Sequence, residues 1–543
     1  MNSGRFPPFP TGDRRWALKV GGAALAASAL PVLAADRTRT LHRGNGAEPD
    51  TLDPHQASGT WENNIIGDLF VGLTQDDAHC RPIPACAESW ATSEDGLVWT
   101  FKLRRGLVWS DGMPIMASDF VYSWRRIIDP KTAARYAFNL YVVKNAEEIN
   151  AGKRPLEDLG IRAVDDLTLE VTLGQPAPFL LSLLKHYASF PVPRHAIDRH
   201  GRNWVQPGNM VSNGPYILTE YVPNAYVKIS KNPRFPEAED VAIEEVFFYP
   251  IEDERSALTR FRSGEIDMNI TTSGFPTQQL EWLKANMPGQ ARIYPFLAVE
   301  YAFANMRRPP FNDIRLRRAI SLAVDRELLM DRVKRDGSAA ASSFVPPVVE
   351  NYIEGPRFDF ADWPMERRRA EAVRLLEEAG YGPSRPLSFD LQYRTSYDRR
   401  RYYVAMSALL KDVGIYARPF ANESKVHYTR VQQDDFVVAE AGWVGDYNDP
   451  QTFLSLIETS AGVFNYPGYS NPAYDRLMSE AKVLLDLERR AQIMAQAEQI
   501  ALDDCAVIPL SFQTTKVLVS PRVEGFEDNA ENIHRTRWMR LKA

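Results

Sequence analysis

Cysteine is scarce, with three in 543 residues, at positions 80, 86 and 505. There is no CxxC pair, no HExxH, and the eight histidines are nowhere clustered at metal-ligand spacing. That excludes the usual sequence-readable metal centres. A GxSxG elbow is also missing, as is a Cys–His pair in a supporting context, which argues against a hydrolase. No run beyond residue 35 reaches about 18 apolar residues, so no spanning helix is expected. Basic tracts, fixed-period repeats and low-complexity segments are absent too. Cys80 and Cys86 are close enough in sequence to close a small loop in an oxidising compartment, and with an odd total at least one thiol stays free or pairs between chains. Cys505, in the apolar run CAVIPL, reads as a small core residue.

What is present is ordinary for a folded, multi-domain protein: 44% hydrophobic and 25% charged residues over a length too great for one core. The formal net charge is −6. Residues 1–35 carry Arg5, Arg14, Arg15 and Lys19 against Asp13, a local +3, so the remainder stands at −9. A mildly acidic body gives no footprint for nucleic acid. The first 35 residues read as a cleaved export signal, with a charged start, an apolar run from Val20 to Leu33, and Ala34 and Ala35 at the cut. The adjacent arginines point to the twin-arginine route, although Ala17 stands where a bulky apolar residue is usual.

Along the mature chain, helical and strand patterns interleave. Trp99, Phe101 and Leu103 alternate with Thr100 and Lys102 as a half-buried strand. Ser118 or Asp119 is placed to cap the helix that carries Phe120, Trp124, Ile127 and Ile128. Asp313 can cap a helix running to about Gly337, and a long helix is expected from about Asn471 to Asp503. Between them lie the strands LSFDLQY, DFVVAEAGW and AVIPLSF. This is the pattern of α/β lobes with mixed sheets. The stretch AEAGWVGDYNDP, residues 439–450, leaves one of these strands with two glycines around Trp443 and then Asp446, Tyr447, Asn448 and Asp449 in a row. Asp446 is placed to pair with a ligand ammonium group; the alternative is a plain Asp/Asn/Gly turn.

Four segments, TFKLRRGLVWSDGMPIMASDFVYSW (100–124), FRSGEIDM (261–268), PFNDIRLRRAISLAVDRELL (310–329) and AGWVGDYNDP (441–450), together resemble the extracytoplasmic peptide-binding proteins of ABC importers, solute-binding family 5, nearest its oligopeptide-binding branch. The resemblance covers essentially the whole mature chain. It implies an α/β, two-lobed periplasmic-binding-protein (type II, Venus flytrap) fold with mixed sheets and an extra third domain. Domain I would comprise 36–60, 195–297 and 510–543; domain II, the extra piece, 61–194; domain III, 298–509. A short peptide would lie extended between domains I and III, held through its backbone.

Carried over residue by residue, the resemblance makes Asp446 the ammonium anchor, with Trp443 and Gly442 on the same wall and Tyr136 facing from the extra domain. Thr272, Ser273 and Gly274 fall on a backbone-contacting loop, and Glu48 in the loop after the first strand joins the ligand-binding set. Lys334, Arg399 and Arg430 are candidates for the peptide carboxylate. Glu440 stands where the family carries an arginine. A carboxylate there repels a ligand carboxylate and attracts a cation, unless it pairs internally with Arg399 or Arg430. The family's interior cysteine pair is absent, its places taken by Ala298 and Val444. The implied partners are a short peptide and an inner-membrane ABC permease. The chain is expected to act as a periplasmic monomer, without catalytic residue, metal, cofactor or nucleic acid. The alternatives are the same transport role with a murein peptide, an opine-like or basic compound or a metal chelate, and, against the absent catalytic motifs, a secreted peptide hydrolase.

Overall fold

The computed structural model describes residues 39–542 apart from 272 and 273. The expected export signal, Thr272 and Ser273 therefore lie outside the described residues. The chain enters on β1 (Thr40–Gly44) and helix α1 (Thr60–Leu69). It then builds a small antiparallel sheet from β2 (Ala87–Thr92), β3 (Val98–Leu103), β4 (Ile161–Asp165) and β5 (Thr168–Thr172), in the order β2-β3-β5-β4. In β3, Trp99, Phe101 and Leu103 are buried and Lys102 faces water, the period of two expected for a half-buried strand. Helix α2 (Ala117–Ile128) lies against this sheet through Phe120, Trp124, Ile127 and Ile128. Its cap falls earlier than the sequence suggests. Met116 is the capping position, and Asp119 sits inside the first turn, where its carboxylate accepts the Met116 N–H at 2.8 Å.

The strands of the large sheet that follow β1 are β6 (Tyr216–Val222), β7 (Tyr226–Lys231), β8 (Glu245–Tyr249), β9 (Met268–Asn269) and β10 (Ala291–Ala304). They continue as β11 (Ala339–Ala340), β12 (Leu387–Arg394), β13 (Ile415–Asn422), β14 (Val438–Val444) and β15 (Ile508–Val519). With β1 they form one sheet ordered β13-β12-β14-β10-β15-β9-β1-β8-β7-β6, β11 adding to β15. The sheet is mixed: β1 runs parallel to β8 and β9, and β12 parallel to β13 and β14, while the other pairs are antiparallel. Together with the separate small sheet this is the two-lobed architecture.

Strands β10 and β15 run through the middle of the large sheet. Their ladder holds from Ala291↔Leu518 to Pro295↔Thr514, breaks, and resumes from Val299↔Phe512 to Ala302↔Ile508. Pro295 has no N–H to give. Leu297 spends its N–H on the Ala530 carbonyl at 2.7 Å and accepts the Gly445 N–H at 2.8 Å. The two halves of the sheet thus meet at an irregular joint. Beyond it, alternation splits β10 between two cores. Ala302 and Ala304 pack with Leu391 and Val438, while Tyr301 and Phe303 face Ala439, Ala441 and Phe453.

Two long helices expected from periodicity are each interrupted. Asp313 does cap its helix, accepting the Arg315 N–H at 2.9 Å, but that helix ends at Ala323. Val324 is extended, Asp325 caps a new turn, and the buried Arg326 guanidinium satisfies the carbonyls of Ser321 and Val324 that the break leaves free and also bonds the Pro509 carbonyl of β15. The stretch from Asn471 to Asp503 is two helices, Pro472–Lys482 and Leu487–Asp503, the second capped by Asp486. All three cysteines are free and buried, so Cys80 and Cys86 close no loop. Ala298 and Val444, at the expected cysteine-pair positions, are direct cross-strand partners.

Candidate ligand-binding cleft

Strand β14 delivers the loop of interest, and each residue of its Asp-Tyr-Asn-Asp run has a different surrounding. Tyr447 stacks flat on Phe179, centroids 4.5 Å apart. The Asn448 side chain accepts the Glu350 N–H at 2.9 Å. Asp449 is buried in a bidentate pair with Arg490, at 2.7 and 2.8 Å. Asp446 donates its backbone N–H to the Thr452 hydroxyl at 3.3 Å, but its carboxylate has neither hydrogen bond nor ion pair among the described residues. Burial without a cation pushes its pKa up to about 6.

The neighbours of Asp446 are aromatic. The Trp443 indole N–H donates to the same Thr452 hydroxyl at 3.1 Å. Tyr136, half-buried, packs against Phe138, His186 and Tyr187 with ring centroids 5.0 to 5.8 Å apart. Burial, and after it the Asp446 charge, raise the Tyr136 phenol pKa. The structure therefore brings Asp446, Trp443 and Tyr136 into one neighbourhood, from segments more than 300 residues apart in sequence.

Period-two alternation gathers a second group. Glu300 is opposite Gly442 and Ala302 opposite Glu440, so both carboxylates project from the same face of the sheet. Glu300 takes Lys334 at 2.7 Å and Arg399 at 3.5 Å, and Lys334 also reaches the Ser511 hydroxyl at 3.0 Å. Burial works to raise the Glu300 pKa, but Lys334 and Arg399 outweigh it and hold the carboxyl at about 2. Glu440 is fully buried, and its partner is Arg394, in a bidentate pair at 2.7 and 3.0 Å, with Arg399 at 3.9 Å. Of the internal partners expected from sequence, Arg399 is secondary and Arg430 is not involved. Arg430 pairs with Asp435 at 2.8 Å and stacks over Phe420. Gly442 leaves room where a Cβ would stand 3.3 Å from Arg394 Nη2. The Arg399 Nε is buried without a hydrogen bond. Lys334, Arg394 and Arg399 balance Glu300, Glu440 and Asp336, the last 3.9 Å from Lys334. The Glu440 charge is thus neutralised in place. Arg394 and Glu300 were not singled out from sequence; a lone charge in the apolar run FLAVEYAFA is the signal that marks Glu300.

The other expected site residues lie across the sheet. Gly274 has φ +41°, and a Cβ there would lie 1.8 Å from the Lys516 carbonyl oxygen, so only glycine fits. Its carbonyl accepts the Asn269 side-chain N–H at 2.7 Å. Glu48 neighbours the Tyr221 hydroxyl and, after burial, helps raise that phenol's pKa; its Oε1 is buried with no hydrogen bond. Among the described residues no helix is long and apolar enough to cross a membrane.

The model of the bacterial extracellular solute-binding proteins, family 5 Middle, matches residues 81–465. The periplasmic oligopeptide-binding protein OppA of Escherichia coli is 39% identical over 516 residues, covering 94% of each chain. Among solved structures, the periplasmic murein tripeptide-binding protein MppA in its unliganded open form superposes with a TM-score of 0.82 at 34% identity, over 93% of this chain and 97% of that one. Haemophilus influenzae OppA in complex with the peptide RPPGFSPFR gives 0.77 at 32% identity, over 93% and 99%.

Proposed function

The chain belongs to the bacterial extracellular solute-binding proteins of family 5, and on that premise we propose that it captures short peptides in the cleft between its lobes and hands them to an inner-membrane ABC permease. Its relatives are transport proteins, not enzymes. The observation that carries the site assignment is the Asp446 carboxylate, desolvated and without a partner at the end of β14. A peptide ammonium supplies the missing cation, and Trp443 and Tyr136 shield the pair from water. At the other end, Arg399 and Lys334 meet the peptide carboxylate, joined by Arg394, whose guanidinium Glu440 holds against Gly442. Because Glu440 is already paired, it does not bar an ordinary peptide carboxylate. Gly274 and Glu48 lie on the opposite lobe, and Arg430, held by Asp435, acts at most at the rim.

The discontinuous division into 36–60 with 195–297 and 510–543, 61–194, and 298–509 remains our reading of the domains. The β10–β15 joint fits the passage between two of them. We place the mature protein in the periplasm, as a monomer. Calorimetric titration of the mature protein with di- to pentapeptides tests the proposal. Asp446→Asn is expected to fold and to lose about 2–5 kcal/mol of peptide affinity. Binding undiminished in that variant would discard the anchor.

A further inference from the structure

Two phenylalanines stand exposed in the surroundings of the Asp446 carboxylate, one on each side of it in the sequence. Phe464, at the end of the turn Gly462–Phe464, lies edge-on to Trp443 with centroids 6.0 Å apart yet is 45% exposed, and its neighbour Val463 is 60% exposed. Phe138, in the turn Ala137–Leu140, lies against Tyr136 with centroids 5.3 Å apart and is 44% exposed. Trp443 and the Asp446 backbone N–H share the Thr452 hydroxyl, and Tyr136 lies within electrostatic reach of the half-buried Asp446 carboxylate, so each phenylalanine packs on an aromatic neighbour of that residue.

Single exposed apolar side chains are common on protein surfaces. Two phenylalanines on separate segments, each packed on an aromatic neighbour of an unpartnered carboxylate, are a different arrangement. A cleft that recognised the ammonium alone would gain from polar groups there. Apolar groups instead leave surface whose burial is recovered only when something apolar covers it. The charge fixes which end of the ligand is present. An extended chain sends its first two side chains to opposite sides, while the third lies roughly 7 Å beyond the first.

We infer that Phe138 on one wall and Phe464 with its neighbour Val463 on the other form an apolar side-chain subsite beside the ammonium anchor, selecting peptides with a bulky apolar or aromatic residue among their first two positions. This rests on the reading of Asp446 as that anchor. The test is competition calorimetry on the mature protein with triglycine and three tripeptides of glycine carrying one phenylalanine at the first, second or third place. Phenylalanine at the first or second place is expected to bind tighter than triglycine by about tenfold or more, and at the third place to gain little. The double variant Phe138→Ser, Phe464→Ser is expected to erase that ratio while leaving triglycine affinity unchanged, and Phe464→Leu, which stays apolar, to keep it. Equal affinities in the unaltered protein, a preference confined to the third place, or a ratio that survives the double serine variant would overturn the inference. Asp446→Asn run in parallel separates the two failures: if it keeps triglycine affinity, the anchor reading itself is wrong.

Discussion

At the scale of single residues, a half-buried, desolvated carboxylate without a cation destabilises the fold that holds it. The Asp446 carboxyl titrates near 3.8 in an unfolded chain and at about 6 in the folded, empty protein. Below pH 3.8 both states carry the proton and the site costs nothing. As pH rises through 6 the folded state gives up its proton less readily than the unfolded one, and up to about 3 kcal/mol of stability is withheld. Asp446→Asn should therefore be more stable than the unaltered protein at pH 7.5 and no more stable at pH 3.5, by urea unfolding. Lower stability at pH 7.5 would mean the carboxylate already has a partner. Glu440 is the opposite case, buried and fully paired. Arg394→Met should cost about 3–5 kcal/mol by stranding that charge, and adding Glu440→Met should recover most of it. If the double variant is no better than the single one, the pair is not what stabilises that face.

At the scale of elements, what could be read from sequence was what alternation and turn chemistry dictate locally. The strand Val98–Leu103 is legible because burial alternates along it, and the strand Val438–Val444 because its first residues form a continuous, mainly apolar buried run. The helix capped by Asp313 is legible because its apolar residues recur at helical spacing. The helix breaks at Val324 and at residues 483–486 were not, because periodicity continues across them. What ends the helices is a second capping aspartate, Asp325 or Asp486, and in the first case a buried arginine from the next turn that bonds the freed carbonyls. Arg394 was missed for a related reason. It ends the strand LSFDLQYR, and its importance appears only when β12 is laid beside β14, which puts its guanidinium on Glu440. Asp446, by contrast, stands out in both sequence and structure because its loop sits directly after a buried strand. Gly274 is an element-scale constraint as well, since its backbone touches β15 at Lys516. Gly274→Ala should destabilise by more than about 1 kcal/mol and weaken peptide binding, by thermal unfolding and calorimetry together. An alanine variant as stable as the parent would show that the two strands yield easily there.

For the whole molecule, the charge left open at Asp446 and the irregular joint between Pro295 and Val299 bear on one event, closure over a ligand. A joint whose ladder is interrupted bends more easily than a continuous one, so the halves of the sheet can approach without breaking strand pairs. On the proposed anchoring, what favours approach is the ligand ammonium, which would pair with Asp446 only when the carboxyl is ionised. In the complex the carboxyl pKa must fall below its empty value of about 6, so binding below pH 6 displaces a proton. The sign follows: affinity is greatest near pH 7, weakens as pH drops through 6, by about tenfold per unit until the pKa of the complex is reached, and weakens again above about pH 8 as the free peptide's own ammonium loses its proton. Titration with a tripeptide at pH 7.5 and pH 5.0, each in two buffers of different ionisation enthalpy, measures both quantities. Proton release near one per ligand at pH 5.0 is expected, with a matching loss of affinity, and at pH 7.5 no release but uptake of a fraction of a proton by the peptide amine. Small-angle scattering at saturating peptide should show a smaller radius of gyration at both pH values, because closure itself needs only occupancy. Affinity independent of pH, with closure intact, would mean that the lobes close on a peptide whose ammonium is held somewhere other than at Asp446.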